Sequence, residues 1–426
     1  MTSPVPADSF AKRTPTDWKG QAMQKRIARR YASEKRFRLL GLASIVLSAG
    51  FLAFLLISML GNGISGFTRT EVGVKFTFPI APMVIDPAML KGPQAEQVLA
   101  SANLPAVTAQ AADQTLGKGG EAMISSNAWL TVRDAIRKDP SILQQTVMLY
   151  LPASADIDLA AKGHGSPSAE AAYARLKEKG QARRAFNSTF LTASDATDAT
   201  QVGIWGAFKG SLLTMLVTLA LSFPVGVLAA LYLEEYAPRN RWTDMIEVSI
   251  NNLAAVPSII FGLLGLAVFL NLMNLPRSAP LVGGMTMALM TMPVIVIAGR
   301  NAIKAVPPSI RDAALGIGAS PVQVVFHHVL PLALPGIMTG TIIGAARALG
   351  ETAPLLMIGM RAFIATPPGG VADPATVLPV QIFLWSDEIS KSFVEKTSAA
   401  IIVLLLFLLG MNSIAIYLRN KFEKRW

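Results

Sequence analysis

Arg311-Asp-Ala-Ala-Leu-Gly-Ile-Gly-Ala-Ser-Pro-Val-Gln-Val-Val-Phe-His-His-Val-Leu-Pro331 separates two long apolar segments, and its spacing decides the architecture. Asp312-Ala313-Ala314 begins a short helix, Gly318 breaks it four residues after Ala314, and Leu330-Pro331 ends the loop. Small side chains at Ala313, Ala314 and Gly316 let such a helix lie close against another surface. His327 and His328 are neighbours that point about 100° apart on a helix, a poor chelate, so no metal site is assigned.

Outward from this stretch the chain is membrane-like. It has 426 residues, 52% of them hydrophobic and only 15% charged, against roughly 25% charged in soluble domains. Six segments are long enough to span, each needing about 20 apolar residues. They are Leu39 to Leu60, Gly210 to Leu233, Val248 to Leu270, Leu281 to Gly299, Leu332 to Met360 and Ser398 to Leu418. The first is too long, and too far from the start, for a signal peptide, and is expected to be a retained anchor. Pro224, Pro257 and Pro293 predict helix kinks, with a hinge as the alternative. Cysteine is absent, which excludes disulfides, thiol catalysis and thiolate metal sites.

Charge sets the expected orientation. Residues 1 to 38 hold 10 Lys/Arg against 3 Asp/Glu, whereas residues 61 to 200 hold 13 against 13. Positive residues favour the cytoplasm, so both termini are expected there, with Arg300, Lys304 and Arg311 also inside. The basic tail, residues 1 to 38, is either a solvated topology signal or a helix on anionic membrane lipids; nucleic acid is not an expected partner. Residues 61 to 200 would lie outside as a small α+β domain or a partly ordered cap. Val72, Val74, Phe76 and Phe78 alternate as a strand; Asp139-Pro140 opens a helix to Leu149, and Ser168 to Phe186 is a second helix.

The fifth segment carries Arg347 and Glu351. A mid-bilayer charge costs at least about 2.5 kcal/mol, so the pair is a candidate site. Four apart, the two share one helix face, either facing a pathway for an anion or clamping the helix to a neighbour. Guanidinium offers a planar fork that matches phosphate oxygens and stays charged at any relevant pH. Gly350 and Pro354 loosen the helix locally, which exposes backbone groups or the Thr352 hydroxyl.

The stretch from Asp312 to Pro331 resembles the EAA loop of ABC importer permeases: acid, two alanines, three residues, glycine, nine residues, then hydrophobic-x-Leu-Pro. Asp312 stands where glutamate is usual, and His328 where an aliphatic is usual. Ala346-Arg-Ala-Leu-Gly-Glu-Thr-Ala-Pro-Leu-Leu356 is similar to the matching span of the PstA family of phosphate-specific permeases. So are Leu231-Tyr-Leu-Glu-Glu-Tyr236, Asn251 to Ile259, Met292 to Val296 and Leu378 to Ile382. The resemblance covers residues 39 to 60 and 203 to 426 and leaves the insert unexplained. Some relatives carry a further arginine and acid near the end of span four. Here Arg300 is displaced and its acid is missing, so Arg300 is expected to be a topology or headgroup residue.

What the resemblance implies is an all-α membrane protein of six transmembrane helices with the type I ABC importer permease fold; the small α+β periplasmic insert between spans one and two rests on the residue pattern alone. It would sit in a bacterial inner membrane and import inorganic phosphate. Asp312, Ala313, Ala314, Gly318, Leu330 and Pro331 would couple to the ATPase, and Arg347, Glu351 and Thr352 would line the pathway. The chain has no phosphate-binding Gly-x4-Gly-Lys-Ser/Thr loop, so ATP and Mg would be bound by a separate ATPase. The implied partners are a PstC-like permease, a PstB-like ATPase dimer and a periplasmic PstS-like phosphate-binding protein. Alternatives are a permease for another oxyanion or solute, and a membrane-anchored sensor with residues 61 to 200 as receptor.

Overall fold

A computed structural model describes residues 20–78, 95–361 and 363–422. The first element, α1, runs from Gln21 to Gly66, 46 residues, and so begins well before the expected Leu39. At 1.5 Å per residue it is about 69 Å long, more than twice a bilayer's apolar thickness of about 30 Å. The extension is helical because residues 21 to 40 contain no Gly or Pro and are rich in Ala, Lys, Arg and Gln, with an Arg38–Glu34 pair one turn apart. Residues 1–19 of the tail, and Lys424 and Arg425, lie outside the described residues.

The expected α+β region follows. It holds β1 (Thr68–Thr77), α2 (Ala95–Ser101), α3 (Leu104–Leu116), α4 (Trp129–Lys138), β2 (Thr146–Pro152), α5 (Ala155–Ala161), α6 (Pro167–Glu178), β3 (Ala182–Phe186) and α7 (Ser188–Thr192). The three strands form an antiparallel sheet in the order β2-β1-β3, with Val72 opposite Leu151 and Glu71 opposite Arg183. Val72, Val74 and Phe76 are fully buried against Leu104, Val107, Val132 and Ile136.

Two expected helices here are corrected. Asp139-Pro140 caps only a short 3-10 turn, Pro140–Gln144, because the β-branched and aromatic run Thr146 to Leu151 pairs with β1 instead. The helix from Ser168 stops at Glu178; Gly180 takes a left-handed φ of 66° and turns the chain into β3. Asn187 is buried, its side chain accepting from the Phe190 N–H at the start of α7.

The remaining elements are α8 (Trp205–Leu231), α9 (Arg241–Ala254), α10 (Ser258–Leu264, widening into a π turn to Leu272), α11 (Pro280–Lys304), α12 (Pro308–Gly316), α13 (Pro321–Gln323), α14 (Leu330–Gly350), α15 (Ala353–Met357), α16 (Leu378–Ser386) and α17 (Ser392–Phe422). Among the described residues, five helices are long and apolar enough to cross a membrane, or six when the bent pair α9 and α10 counts as one.

That pair corrects the expected third span. The chain turns by 105° between Ala254 and Ser258, where Pro257 withholds an N–H and keeps its predecessor out of the helical region. Pro224 and Pro293, by contrast, lie inside continuous helices.

The helix α11 is the central element, with α8 on one flank and α14 on the other. Gly336, Gly340 and Gly344 form a stripe at four-residue spacing on α14, and a methyl group on any of them would collide with Ala302, Ala298 or Thr291 of α11. Without side chains in the way the two backbones approach closely, which supplies the dispersion contacts that hold helices together in lipid. The seam fixes the relative level of every residue on α14.

Candidate functional site

Arg347 lies one turn beyond Gly344 on α14. By the glycine seam it stands level with about residue 288 of α11, so roughly 12 Å from the Pro280 end and 24 Å from the Lys304 end. Its guanidinium is 46% exposed, and its Nε is 3.6 Å from Glu351 Oε1, too far for a good hydrogen bond. No other partner for the Arg347 guanidinium occurs among the described residues.

The two do not share a helix face. Glu351 has left the helix with an extended backbone (φ −80°, ψ 127°), and Thr352 precedes the five-residue helix α15. Gly350, with no neighbour where a side chain would be, and Pro354, which has no N–H to give, end α14 here. The expected fifth span to Met360 is therefore two helices around a break. Arg347, Glu351 and Thr352 are brought together at that break, with the Thr352 hydroxyl free of hydrogen bonds among the described residues. A cation held loosely by one carboxylate beside uncapped backbone can exchange that carboxylate for a passing anion.

The second site is built on α12. This helix begins at Pro308, four residues before Asp312, because Pro308 is suited to a first turn. Asp312 and Ala313 face outward, whereas Ala314 is buried against Val306, Val324, Val325 and Val329. Gly318 takes a φ of 90°, a left-handed turn that a side chain would strain, and so ends the helix where expected. Ser320 and Gln323 then form a capping box that starts the next helix at Pro321.

Leu330-Pro331 consequently does not end a loop. A continuous helical run extends from Pro321 to Gly350, and Leu330 and Pro331 sit in it just after a π turn over Val324–Val329. The wider turn accommodates the proline's missing N–H. Asp312, Ala313 and Gly318 form one exposed knuckle together with Leu315 and Ile317, the latter 83% exposed, with Ala314 buried beneath it; Leu330 and Pro331 stand apart, at the base of α14.

An ion network that the sequence reading does not assign anchors this knuckle. Glu234 and Glu235 lie on a π turn at the end of α8. Arg311 gives Glu235 a 2.7 Å contact and also donates to the carbonyls of Val306 and Ile303. Arg300 meets Glu247 at 2.8 Å and Glu234 at 3.3 Å, and Lys304 adds a 3.6 Å contact to Glu234. This corrects the expectation for Arg300. Its acids come from α9 and the turn after α8, more than 50 residues away in sequence, so it is a tie between helices. The available signal was the doubled glutamate at the end of an apolar segment, which needs a counter-charge.

Known proteins resemble the two parts of the chain separately. Residues 186–426 match the family model described as binding-protein-dependent transport system inner membrane component, and residues 24–171 match a domain of unknown function, DUF3333. The chain is 31% identical over 206 residues to the probable ABC transporter permease protein YqgI of Bacillus subtilis, covering 46% of this chain and 69% of that protein. It is 30% identical over 215 residues to the phosphate transport system permease protein PstA of Yersinia pestis, covering 50% and 71%.

With PstA 1 of Mycobacterium tuberculosis it shares 32% identity over 37% of this chain and spans about half the length of that relative, 51%. Among solved structures, the MetNI methionine ABC transporter in an inward-facing form aligns over 52% of this chain and 98% of its own, with 16% identity and a TM-score of 0.42. With the match to residues 186–426 spanning more than half of the chain, this protein belongs to the binding-protein-dependent transport system inner membrane components, the permeases of ABC importers.

Proposed function

We propose that the chain is the permease subunit of an ATP-driven importer of inorganic phosphate. The observation that carries this reading is Arg347, half exposed at a helix break, with only a 3.6 Å contact to Glu351 to hold it. Glu351 balances the charge while no anion is present, and an arriving phosphate takes both donor edges of the guanidinium, with Thr352 offering a third contact. Relatives named as phosphate transport permeases support the choice of anion.

In this proposal α12 docks on a cytoplasmic ATPase dimer of PstB type, which binds the ATP and Mg, and a PstC-like permease supplies the other half of the pathway. A periplasmic PstS-like protein delivers phosphate. The exposed Asp312, Ala313 and Ile317 present the docking surface. Ties from Arg311 to the turn after α8 and the end of α11, and from Arg300 on α11 to the middle of α9, carry its displacement into the spans, so the pathway alternates between sides.

Phosphate uptake by an Arg347→Gln variant tests the reading. Uptake should fall at least about tenfold while the assembled complex is recovered in normal yield. Unchanged uptake removes Arg347 from the pathway. Copurification is the second test: an ATPase and a second permease should accompany the solubilised chain, and a stable lone homodimer overturns the assignment.

A further inference from the structure

Two helices change from apolar to polar sequence at the same corner of the molecule. The apolar run of α1 ends at Leu60, and that of α17 begins at Ser398. The last turn of α1 lies directly on the first turns of α17, with Gly66 against the Glu395 backbone. The α+β domain folds over this corner and leaves a cleft of about 490 Å³ there.

Lys162 forms the floor. Its side chain is 1% exposed, with Nζ 2.8 Å from Asp158 and 2.7 Å from Glu395 Oε2, so the lysine charge is met inside the protein, while Glu395 Oε1 has no hydrogen-bond partner among the described residues. The rim is different. Arg184 and Lys391 are exposed, line the cleft, and have no carboxylate partner among the described residues, whereas neighbouring Arg183 is held by Glu71 at 2.7 Å. His164, Asn62 and Ser65 add neutral polar groups to the lining. Lys162, Arg184 and Lys391 against Asp158 and Glu395 leave one positive charge in excess, and it sits on the rim.

We propose that this cleft binds a phosphate group, and specifically the phosphodiester headgroup of a membrane phospholipid. Two unpaired cations, Arg184 and Lys391, on the rim of one opening are the donor set an anionic phosphate takes. The position argues for lipid as its source. The cleft opens where both helices leave the apolar layer, at headgroup level, and below it Val394, Leu405 and Leu409 of α17 are exposed along the path of an acyl chain. The site shares no residue with the Arg347 break and stands independently of the transport reading.

The test uses the full chain purified in detergent, comparing wild type with the double variant Arg184→Gln/Lys391→Gln. Both side chains are exposed, so the fold and the Lys162 floor are retained. Retained phospholipid is counted by native mass spectrometry, and binding of radiolabelled inorganic phosphate to delipidated protein is measured in parallel. We expect about tenfold weaker phospholipid retention in the variant, with millimolar inorganic phosphate failing to displace lipid from wild type. If lipid retention is unchanged but the variant loses inorganic phosphate, the lipid source is overturned and the phosphate chemistry stands. If neither changes, the site is overturned.

Discussion

Arg311 and Arg347 each face a glutamate, but the two contacts behave in opposite ways. Arg311 is 23% exposed and uses its fork fully, on Glu235 at 2.7 Å and on two backbone carbonyls. Arg347 is 46% exposed and touches Glu351 at 3.6 Å alone. The first is a clamp, since removing a saturated, mostly buried cation strands every acceptor it served. The second holds its place weakly, as half-exposed ion pairs contribute about 0–1 kcal/mol. An arginine in an apolar protein is therefore informative only together with how many of its donors are used.

Five variants break or sharpen that contrast. Arg311→Met should cost the most, about 3 kcal/mol, because Glu235 is left without its counter-charge. Thermal unfolding of the purified chain would show it, and an unchanged midpoint would dissolve the distinction between clamp and loose pair. Gly340→Leu forces a side chain into Ala298 and should cost about 1–3 kcal/mol by the same assay, unless α14 shifts off α11.

Arg300→Gln gives up contacts to Glu247 and Glu234 and should cost about 1.5 kcal/mol, a value reduced by the partial exposure of Glu247. Arg347→Gln should change stability least, by less than about 1 kcal/mol. An Arg347→Lys variant keeps the charge and loses the planar fork, so its uptake should fall between wild type and Arg347→Gln. A large loss of stability at Arg347 would make that pair a clamp after all.

Much of this was legible in the sequence, and the failures have common causes. The helix ending at Gly318 and the alternation in β1 follow from local chemistry, a glycine turn and a period of two, and both stand where expected. Boundaries that depend on competing local preferences moved. Asp139-Pro140 is good helix-start chemistry, yet the run beyond it gains more by pairing with β1. Gly350 and Pro354 predict a loosened helix; in the structure they end it, which removes Glu351 from the helix face that four-residue spacing predicts it shares with Arg347.

Partners distant in the chain were out of reach. Glu235 and Arg311 are 76 residues apart, and nothing local pairs them. The glycines at 336, 340 and 344 were readable as a packing stripe from spacing alone, and they carry the seam that places Arg347.

That seam makes α14 a lever arm. Pinned along α11 by three small residues, it reaches from its base near α12 to Arg347, seventeen residues or about 25 Å beyond Leu330. A rigid tilt of the pinned α11–α14 pair by roughly 10° about that base would carry the guanidinium about 4 Å sideways, more than the length of a hydrogen bond. Small rotations at one end are thus enough to make or break contacts at the other, without any change in the helix itself.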